Sequence, residues 1–237
     1  MNSIEVCFSP ELIHLHELSG KLVVVVDIFR ATSTMVAALA HGVKEILPFE
    51  DLESCRAMQA KGYLIAGERD GLIAPGFELG NSPVAFLEGN YAGKKLAMTT
   101  TNGTVAIEKS MGSAEILIGA FPNLQATASY IQSRNLDVLI HCAGWKGRFN
   151  LEDSLYAGAL VQMLSGSHTN QEDGALAMSS LFAQEGNNLT SYLAQASHAK
   201  RLQNHGIEAD ISFCLTLNRY DQVVGLAKDG ALRVIEG

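Results

Sequence analysis

The chain has 237 residues, 47% of them hydrophobic, enough apolar material for a substantial core in one large domain or two small ones. Its 25 acids against 17 bases give a formal charge of −8, which argues against a phosphate-backbone partner, because nucleic-acid binding needs clustered cations. Residues 1–17 lack the basic start and continuous apolar stretch of a secretory signal, and no apolar run approaches the roughly 20 residues of a membrane helix, so a cytoplasmic protein without a membrane partner is expected.

In chain order, Leu22-Val23-Val24-Val25-Val26 is the first clear strand, a run of apolar β-formers suited to burial on both faces of a parallel sheet. It leads into Asp27-Ile28-Phe29-Arg30-Ala31-Thr32-Ser33, where Thr32 or Ser33 can cap a helix over 33–41 that Gly42 closes. Asp27 then sits at the carboxyl edge of a strand, where ligands collect in open α/β sheets. A structural Asp27–Arg30 ion pair is the plainer reading of the same residues. A strand over 43–49 follows, then a helix over 52–61 capped by Asp51 and stopped at Gly62, then a buried strand over 63–66. A glycine-rich loop, opening Gly67-Glu68-Arg69-Asp70-Gly71, continues to Asn81, and Ser82-Pro83 starts the next helix.

Residues 95–99 read as a strand that passes through Thr100-Thr101-Asn102-Gly103-Thr104 into a helix over 105–111. A strand over 115–118, a helix over 123–134, a strand over 137–142 and a loop over 143–150 keep the βα rhythm. The helix over 151–164 carries Glu152 and Asp153 in its first turn. Past Gly166 the alternation gives way to helices over 173–184 and 190–204, the second ended by His205-Gly206. Asp229-Gly230 between apolar runs is a hairpin signal. The expected fold is α/β and three-layered, with a mostly parallel mixed sheet, helices on both faces and a C-terminal β-hairpin. No composition shift marks a linker, so residues 1–237 read as a single domain, with a subdomain change allowed near residue 166.

The strand ends carry polar clusters that share one edge if the strands are parallel neighbours. The 99–104 segment supplies hydroxyls, an amide and a glycine at a helix start, suited to phosphate oxygens; a plain helix cap explains the same residues. Arg30, Arg69 and Arg148 can each grip an anionic group through a bidentate fork, or simply pair with adjacent acids. Asp27, Glu68, Glu152, Asp153 and Asp210 offer oxygens to magnesium, which commonly takes one or two carboxylates, waters and a substrate phosphate. Glu152 and Asp153 also suit a first helical turn for its dipole alone. No Walker loop or G-x-G-x-x-G occurs. Cys7, Cys55, Cys142 and Cys214 lack C-x-x-C spacing and read as buried reduced thiols. No H-E-x-x-H is present; His14, His16, His41, His168, His198 and His205 read as surface or helix-end residues, and His141 as core or pocket.

Several runs together resemble the 2-phosphosulfolactate phosphatase family. They are Asp27-Ile28-Phe29-Arg30-Ala31-Thr32-Ser33-Thr34, Gly67-Glu68-Arg69-Asp70-Gly71, Pro75-Gly76-Phe77-Glu78-Leu79-Gly80-Asn81-Ser82-Pro83, Thr99-Thr100-Thr101-Asn102-Gly103-Thr104, Cys142-Ala143-Gly144, Gly147-Arg148-Phe149 and Leu151-Glu152-Asp153. The resemblance spans nearly the whole chain, through Asp210 and Cys214; the stretch 165–173 lies outside it. It implies a magnesium-dependent acid phosphatase that converts 2-phosphosulfolactate to sulfolactate and inorganic phosphate, a step of coenzyme M biosynthesis, on an unusual α/β fold.

Together with the residue chemistry, the resemblance implies Asp27, Arg30 and Asp153 as catalytic residues. Thr32, Ser33, Arg69, Asn81, Thr100, Thr101, Asn102, Gly103 and Arg148 are implied around the substrate, and Asp27, Glu68, Glu152, Asp153 and Asp210 around Mg2+. Either an acid orients the attacking water or it attacks itself, although the D-x-D-x-[TV] pattern of phosphoaspartate phosphatases is broken by Phe29. Two other readings compete: a phosphatase for another small phosphorylated acid, and a catalytically silent anion-binding module. A homodimer is expected on base rate alone.

Overall fold

The computed structural model describes residues 1–170, 172–202 and 206–235. The strands are β1 (Asn2–Cys7), β2 (Leu22–Val26), β3 (Glu45–Phe49), β4 (Leu64–Arg69), β5 (Leu72–Ile73), β6 (Lys95–Thr99), β7 (Glu115–Gly119), β8 (Val138–Cys142), β9 (His168–Asn170), β10 (Val223–Leu226) and β11 (Leu232–Ile235). The α-helices are α1 (Ala31–Ala40), α2 (Leu52–Ala57), α3 (Pro83–Glu88), α4 (Gly103–Lys109), α5 (Leu124–Ser133), α6 (Leu151–Leu164), α7 (Asp173–Glu185), α8 (Leu189–Leu193), α9 (Ser197–Leu202) and α10 (Glu208–Cys214). The fold is α/β, with helices around one mixed, mostly parallel sheet in the order β5-β4-β6-β3-β11-β10-β7-β2-β8-β1-β9.

The C-terminal hairpin β10–β11 lies inside this sheet, where it divides two parallel blocks. It pairs antiparallel to β7 on one side and to β3 on the other, through Gly225 with Leu117 and Leu232 with Ile46. Three successive antiparallel pairings give the β4-β6-β3 block the opposite sense to the β7-β2-β8-β1-β9 block. The strand-end clusters therefore do not share one edge of a flat parallel sheet.

Twist brings them together instead. Strands β2 and β6 are five places apart, roughly 24 Å in a flat sheet. Yet Gly103, just past β6, abuts the Asp27 carboxylate just past β2. A twist of about 20–25° per strand pair accumulates to about 100–125° over five steps, enough to turn opposed blocks into crossed ones whose carboxyl ends converge. At the β3–β11 junction Glu45 adds side-chain ties to the sparse ladder: Arg233 Nη2 at 2.6 Å, the Tyr63 hydroxyl at 2.8 Å and Lys95 Nζ at 3.0 Å. Arg233 above all, helped by Tyr63 and Lys95, holds the Glu45 carboxyl down at about 2 against the opposing effect of burial.

All five residues of β2 are fully buried, as the apolar run requires, and α1 behind it is buried from Ala31 to Leu39. A helix with no charged residue, whose three hydroxyls all bond to backbone, belongs inside a protein. Several elements differ from the sequence reading. The helix expected over 190–204 is two short helices, α8 and α9, and its end at Asn204 and His205 falls outside the described residues. Strands β1 and β9 and helix α10 are short elements without a clean period. The loop expected from Gly67 begins instead as strand through Arg69, which turns back into β5. His168 and His198 are buried rather than on the surface, and His141 lies in the core, with Nδ1 2.8 Å from Ser110 Oγ. The four cysteines are free and buried. No described helix is long and apolar enough to cross a membrane.

Glycine at position 158 lets α6 and α7 touch. A Cβ there would overlap the Met178 carbonyl and press on the Phe182 side chain. Gly158→Ala is expected to destabilise the protein by at least about 2 kcal/mol in urea unfolding, through overpacking against backbone that cannot yield.

Candidate active site

Asp27 leaves β2 into a turn that three hydroxyls hold rigid. Thr32 Oγ1 accepts from the Asp27 N–H at 3.0 Å and donates to the Asp27 carbonyl at 2.9 Å. Ser33 Oγ donates to the Ile28 carbonyl at 2.9 Å, and Thr34 Oγ1 lies 2.8 Å from the Arg30 and Asn81 carbonyls. Arg30, not Thr32 or Ser33, occupies the N-cap of α1, and no side chain caps that helix. The hydroxyls of Thr32 and Ser33 are consumed by backbone and fully buried, so they position Asp27 and do not reach a substrate.

The carboxylate so fixed faces an enclosed cavity lined by Asp27, Phe29, Arg30, Glu68, Gly71, Asn81, Asn102, Trp145, His198 and Leu202. Arg30 is buried and stretched between Asp210 Oδ2, 2.6 Å from Nη1, and the Gly71 carbonyl, 3.0 Å from Nη2. These contacts use two of the guanidinium's five N–H donors. Glu68 is held by the Gly71 N–H at 2.6 Å, the Thr101 N–H at 3.1 Å and the Thr101 hydroxyl at 3.2 Å. Asn102 Oδ1 accepts from the Lys146 N–H at 3.0 Å. Asn81 contributes a buried Oδ1 with no hydrogen-bond partner among the described residues. Arg30, Gly71 and Asn81 also line an adjoining groove of ≈ 480 Å³.

Burial pushes the Asp27 carboxyl up to about 7; Glu68 and Glu152 add to the rise, and His198 and the Ala31 N–H oppose it. Gly103 is the residue that allows this crowding. A Cβ there would lie 2.7 Å from Ala31 Cβ and 2.9 Å from Asp27 Oδ2. Gly103→Ala is expected to displace Asp27 and lower kcat/KM by at least about tenfold, since small misplacements of a reacting group are costly. Steady-state kinetics beside a circular-dichroism melt separate that loss from unfolding.

Other expected site residues lie elsewhere. Asp153 does not line the cavity: its Oδ1 accepts from the Ile28 N–H at 2.8 Å and its Oδ2 from the Gly144 N–H at 3.1 Å. It ties the turn after β2 to the loop after β8, and burial, then Asp27 and Glu152, push its carboxyl well above the usual range. Asp210 is taken by Arg30, by Ser82 Oγ at 2.7 Å and by the Val84 N–H at 3.2 Å. Arg69 braces strand ends through the Glu68 and Glu50 carbonyls and Thr99 Oγ1. Arg148 is exposed, and neither arginine lines the cavity. Thr100 closes a reciprocal turn with Thr104, accepting its N–H at 3.2 Å. Thr101 stands behind Glu68.

The residue missed by sequence reading is His198. It is buried on α9, lines the cavity and has Nδ1 2.5 Å from Glu152 Oε1, while its ring packs against Trp145 and Phe29 at centroid distances of 5.1 and 6.1 Å. Only the apolar surroundings of α9 brought it inside, and nothing in the spacing of 197–202 signalled that. Glu152 stands behind it, outside the cavity lining, and its Oε2 has no hydrogen-bond partner among the described residues.

Among the described residues, no three of Asp27, Glu68, Glu152, Asp153 and Asp210 bring ligand atoms within 4.8 Å of one another; the trio that does is Glu5, His16 and Glu172 beside β1, where Lys21 already pairs with Glu5. A five-carboxylate cage is thus absent. Asp27 and Glu68, with the unpartnered Asn81 Oδ1, still fit what magnesium asks of a protein: hard oxygens and one or two carboxylates, the remaining positions going to water and substrate.

Buried carboxylates, a buried arginine and a free amide oxygen around one small cavity define an α/β protein with an enclosed, oxygen-rich site at converging strand ends. Comparison with known proteins makes this specific. The family model described as 2-phosphosulpholactate phosphatase matches residues 7–229. The chain is similar to proteins named probable 2-phosphosulfolactate phosphatase: 42% identical to that of Thermotoga maritima over 86% of this chain and 88% of the other. It is 37% identical to that of Caldanaerobacter subterraneus subsp. tengcongensis over 92% of each, and 37% identical to that of Gloeobacter violaceus over 98% and 97%. The chain belongs to the 2-phosphosulpholactate phosphatase family, a family of phosphoric monoester hydrolases.

Proposed function

We propose that the protein hydrolyses 2-phosphosulfolactate to sulfolactate and inorganic phosphate with Mg2+ bound at Asp27 and Glu68. The observation that carries this reading is the meeting of Asp27, Glu68, Asn81 and Arg30 on one enclosed cavity within a chain of this family. Magnesium at such a site supplies charge neutralisation for the transferring phosphoryl group. Arg30, with donors left over from Asp210 and Gly71, binds phosphoryl oxygens, and its anchors fix its direction. Glu68 is oriented by three donors toward the cavity, and Asp27 is aligned by the turn behind it. Phe29, Trp145 and Leu202 shield the site from bulk water.

The sulfonate and carboxylate of the substrate need cations that Arg69 and Arg148 do not supply at the cavity. Lys146 and Arg201 flank Trp145, which does line the cavity, with their charged ends 5.3 and 4.7 Å from its ring centroid; in this reading they take the sulfonate or carboxylate, Lys146 by exchanging its Asp70 partner. Four free buried thiols suit a reducing, cytoplasmic setting, and the resemblance supports a place in coenzyme M biosynthesis.

The test is phosphate release from 2-phosphosulfolactate and from phospholactate, with Mg2+ and then with excess chelator. Metal-dependent release from the first, far above the second, is expected. Equal rates would keep the phosphatase and discard the substrate; no release from either would leave a binding module.

A further inference from the structure

We propose that His198 is the general acid of the reaction, delivering a proton from Nε2 to the bridging oxygen of the leaving alcohol, with Glu152 as its positioning residue. The inference rests on the phosphatase reading. A buried imidazole lines the reaction cavity yet carries its own carboxylate partner on the side away from it. Glu152 is wholly buried, 2.5 Å from Nδ1, and therefore fixes both the ring plane and the proton on Nδ1. Among the described residues the ring's hydrogen bond is the one from Nδ1 to Glu152, which leaves Nε2, across the ring, to the cavity that His198 lines. Contacts with Trp145 on one side and Phe29 on another leave the ring little freedom to turn. A carboxylate-oriented histidine aimed into a cavity is the arrangement of an acid or base.

The chemistry needs such a group. The substrate leaves as a secondary alkoxide, a strong base that a phosphoryl-transfer site must protonate as the bond breaks, and Arg30 at the phosphoryl oxygens cannot give up a proton. In the step, water oxygen forms the new bond to phosphorus and the P–O bond to the substrate carbon skeleton breaks. The electron pair stays on the bridging oxygen, and the Nε2 proton moves onto it to give the alcohol. One water proton remains on the product phosphate; the other is lost to solvent, from which the imidazolium is restored. No oxidant or further reactant is required.

A purely structural Glu152–His198 pair, holding α9 to α6, would also be buried, so the test turns on the leaving group. Wild-type protein must first release phosphate from 2-phosphosulfolactate with Mg2+; if it does not, the phosphatase reading itself fails. Given that activity, His198→Gln is expected to lower kcat on 2-phosphosulfolactate by about 10²–10⁴-fold, and on p-nitrophenyl phosphate, whose phenolate leaves unprotonated, by less than about tenfold. Equal losses on both esters, or wild-type turnover of the alkyl ester, overturns the proposal. Should the variant not fold, single-turnover rates of the wild type on alkyl and aryl phosphate monoesters decide the matter. A shallow dependence on leaving-group basicity is expected, and a steep one overturns the assignment.

Discussion

Asp27→Asn should abolish turnover while making the fold more tolerant of alkaline pH. The activity arm follows from position: Asp27 is the carboxylate at the cavity around which Gly103, Thr32 and Ala31 are built, and it is one of the two carboxylates proposed to hold the metal. A loss of at least about 10³-fold in kcat is expected, comparable with removing a principal electrostatic element of a phosphoryl-transfer or acyl-transfer site. Turnover within a few-fold of wild type would remove Asp27 from the mechanism.

The folded-state pKa of Asp27 is raised from 3.8 to about 7, so between those values the folded chain binds more protons than the unfolded chain and stability falls as pH rises. Well below pH 3.8 the group is protonated in both states and contributes nothing; above pH 7 the full cost of a buried carboxylate remains. The stability difference between Asp27→Asn and wild type should therefore grow by about 2–4 kcal/mol in favour of the variant between pH 4 and pH 8. Urea unfolding at both pH values reads it. Magnesium gives an independent check without turnover. Millimolar Mg2+ should raise the melting temperature of the wild type at pH 8 and that of Asp27→Asn by much less, because the variant keeps Glu68 but lacks the second carboxylate of the proposed pair.

Reading the sequence succeeded where local chemistry decides structure. The apolar run of β2, the Asp51 and Ser82 caps, the Pro83 helix start and the Asp229-Gly230 turn all specify their elements within a few residues. Asp27, Arg30, Glu68, Asn81 and Asn102 do meet at one cavity. Function words in the sequence were harder to assign, because hydroxyls and carboxylates serve backbone and substrate with equal ease. Thr32, Ser33 and Thr100 spend their hydroxyls on turns, and Asp153 spends both oxygens on the N–H groups of Ile28 and Gly144. No spacing rule distinguishes those uses. The location of the hairpin inside the sheet was illegible for another reason: strand order is a long-range property, and Gly225 and Leu232 announce nothing about Leu117 or Ile46. His198 belongs with these, since its partner Glu152 is 46 residues away.

The strongest effect on stability is expected at Arg30 and Asp210. Both side chains are 6% exposed and their closest atoms are 2.6 Å apart, so removing either leaves the other charged group buried without its partner. Asp210→Ala and Arg30→Ala should each cost about 3–5 kcal/mol. The double variant should cost less than the sum, with a coupling of about 1.5–3 kcal/mol in a urea-unfolding cycle. Arg30→Ala and the milder Asp210→Asn should differ in kinetics. Arg30→Ala removes the phosphoryl-binding donors and should lower kcat/KM by at least about 10²-fold. Asp210→Asn keeps the side-chain shape and still accepts from Ser82 and Val84, so it loosens the aim of Arg30 without removing it, and KM should rise more than kcat falls. The magnesium concentration for half-maximal activity separates this anchoring role from the ligand role that the sequence implied. With Arg30 between Asp210 and the cavity, that concentration should be unchanged in Asp210→Asn, and an increase of tenfold or more, at unaltered KM, would put Asp210 on the metal after all.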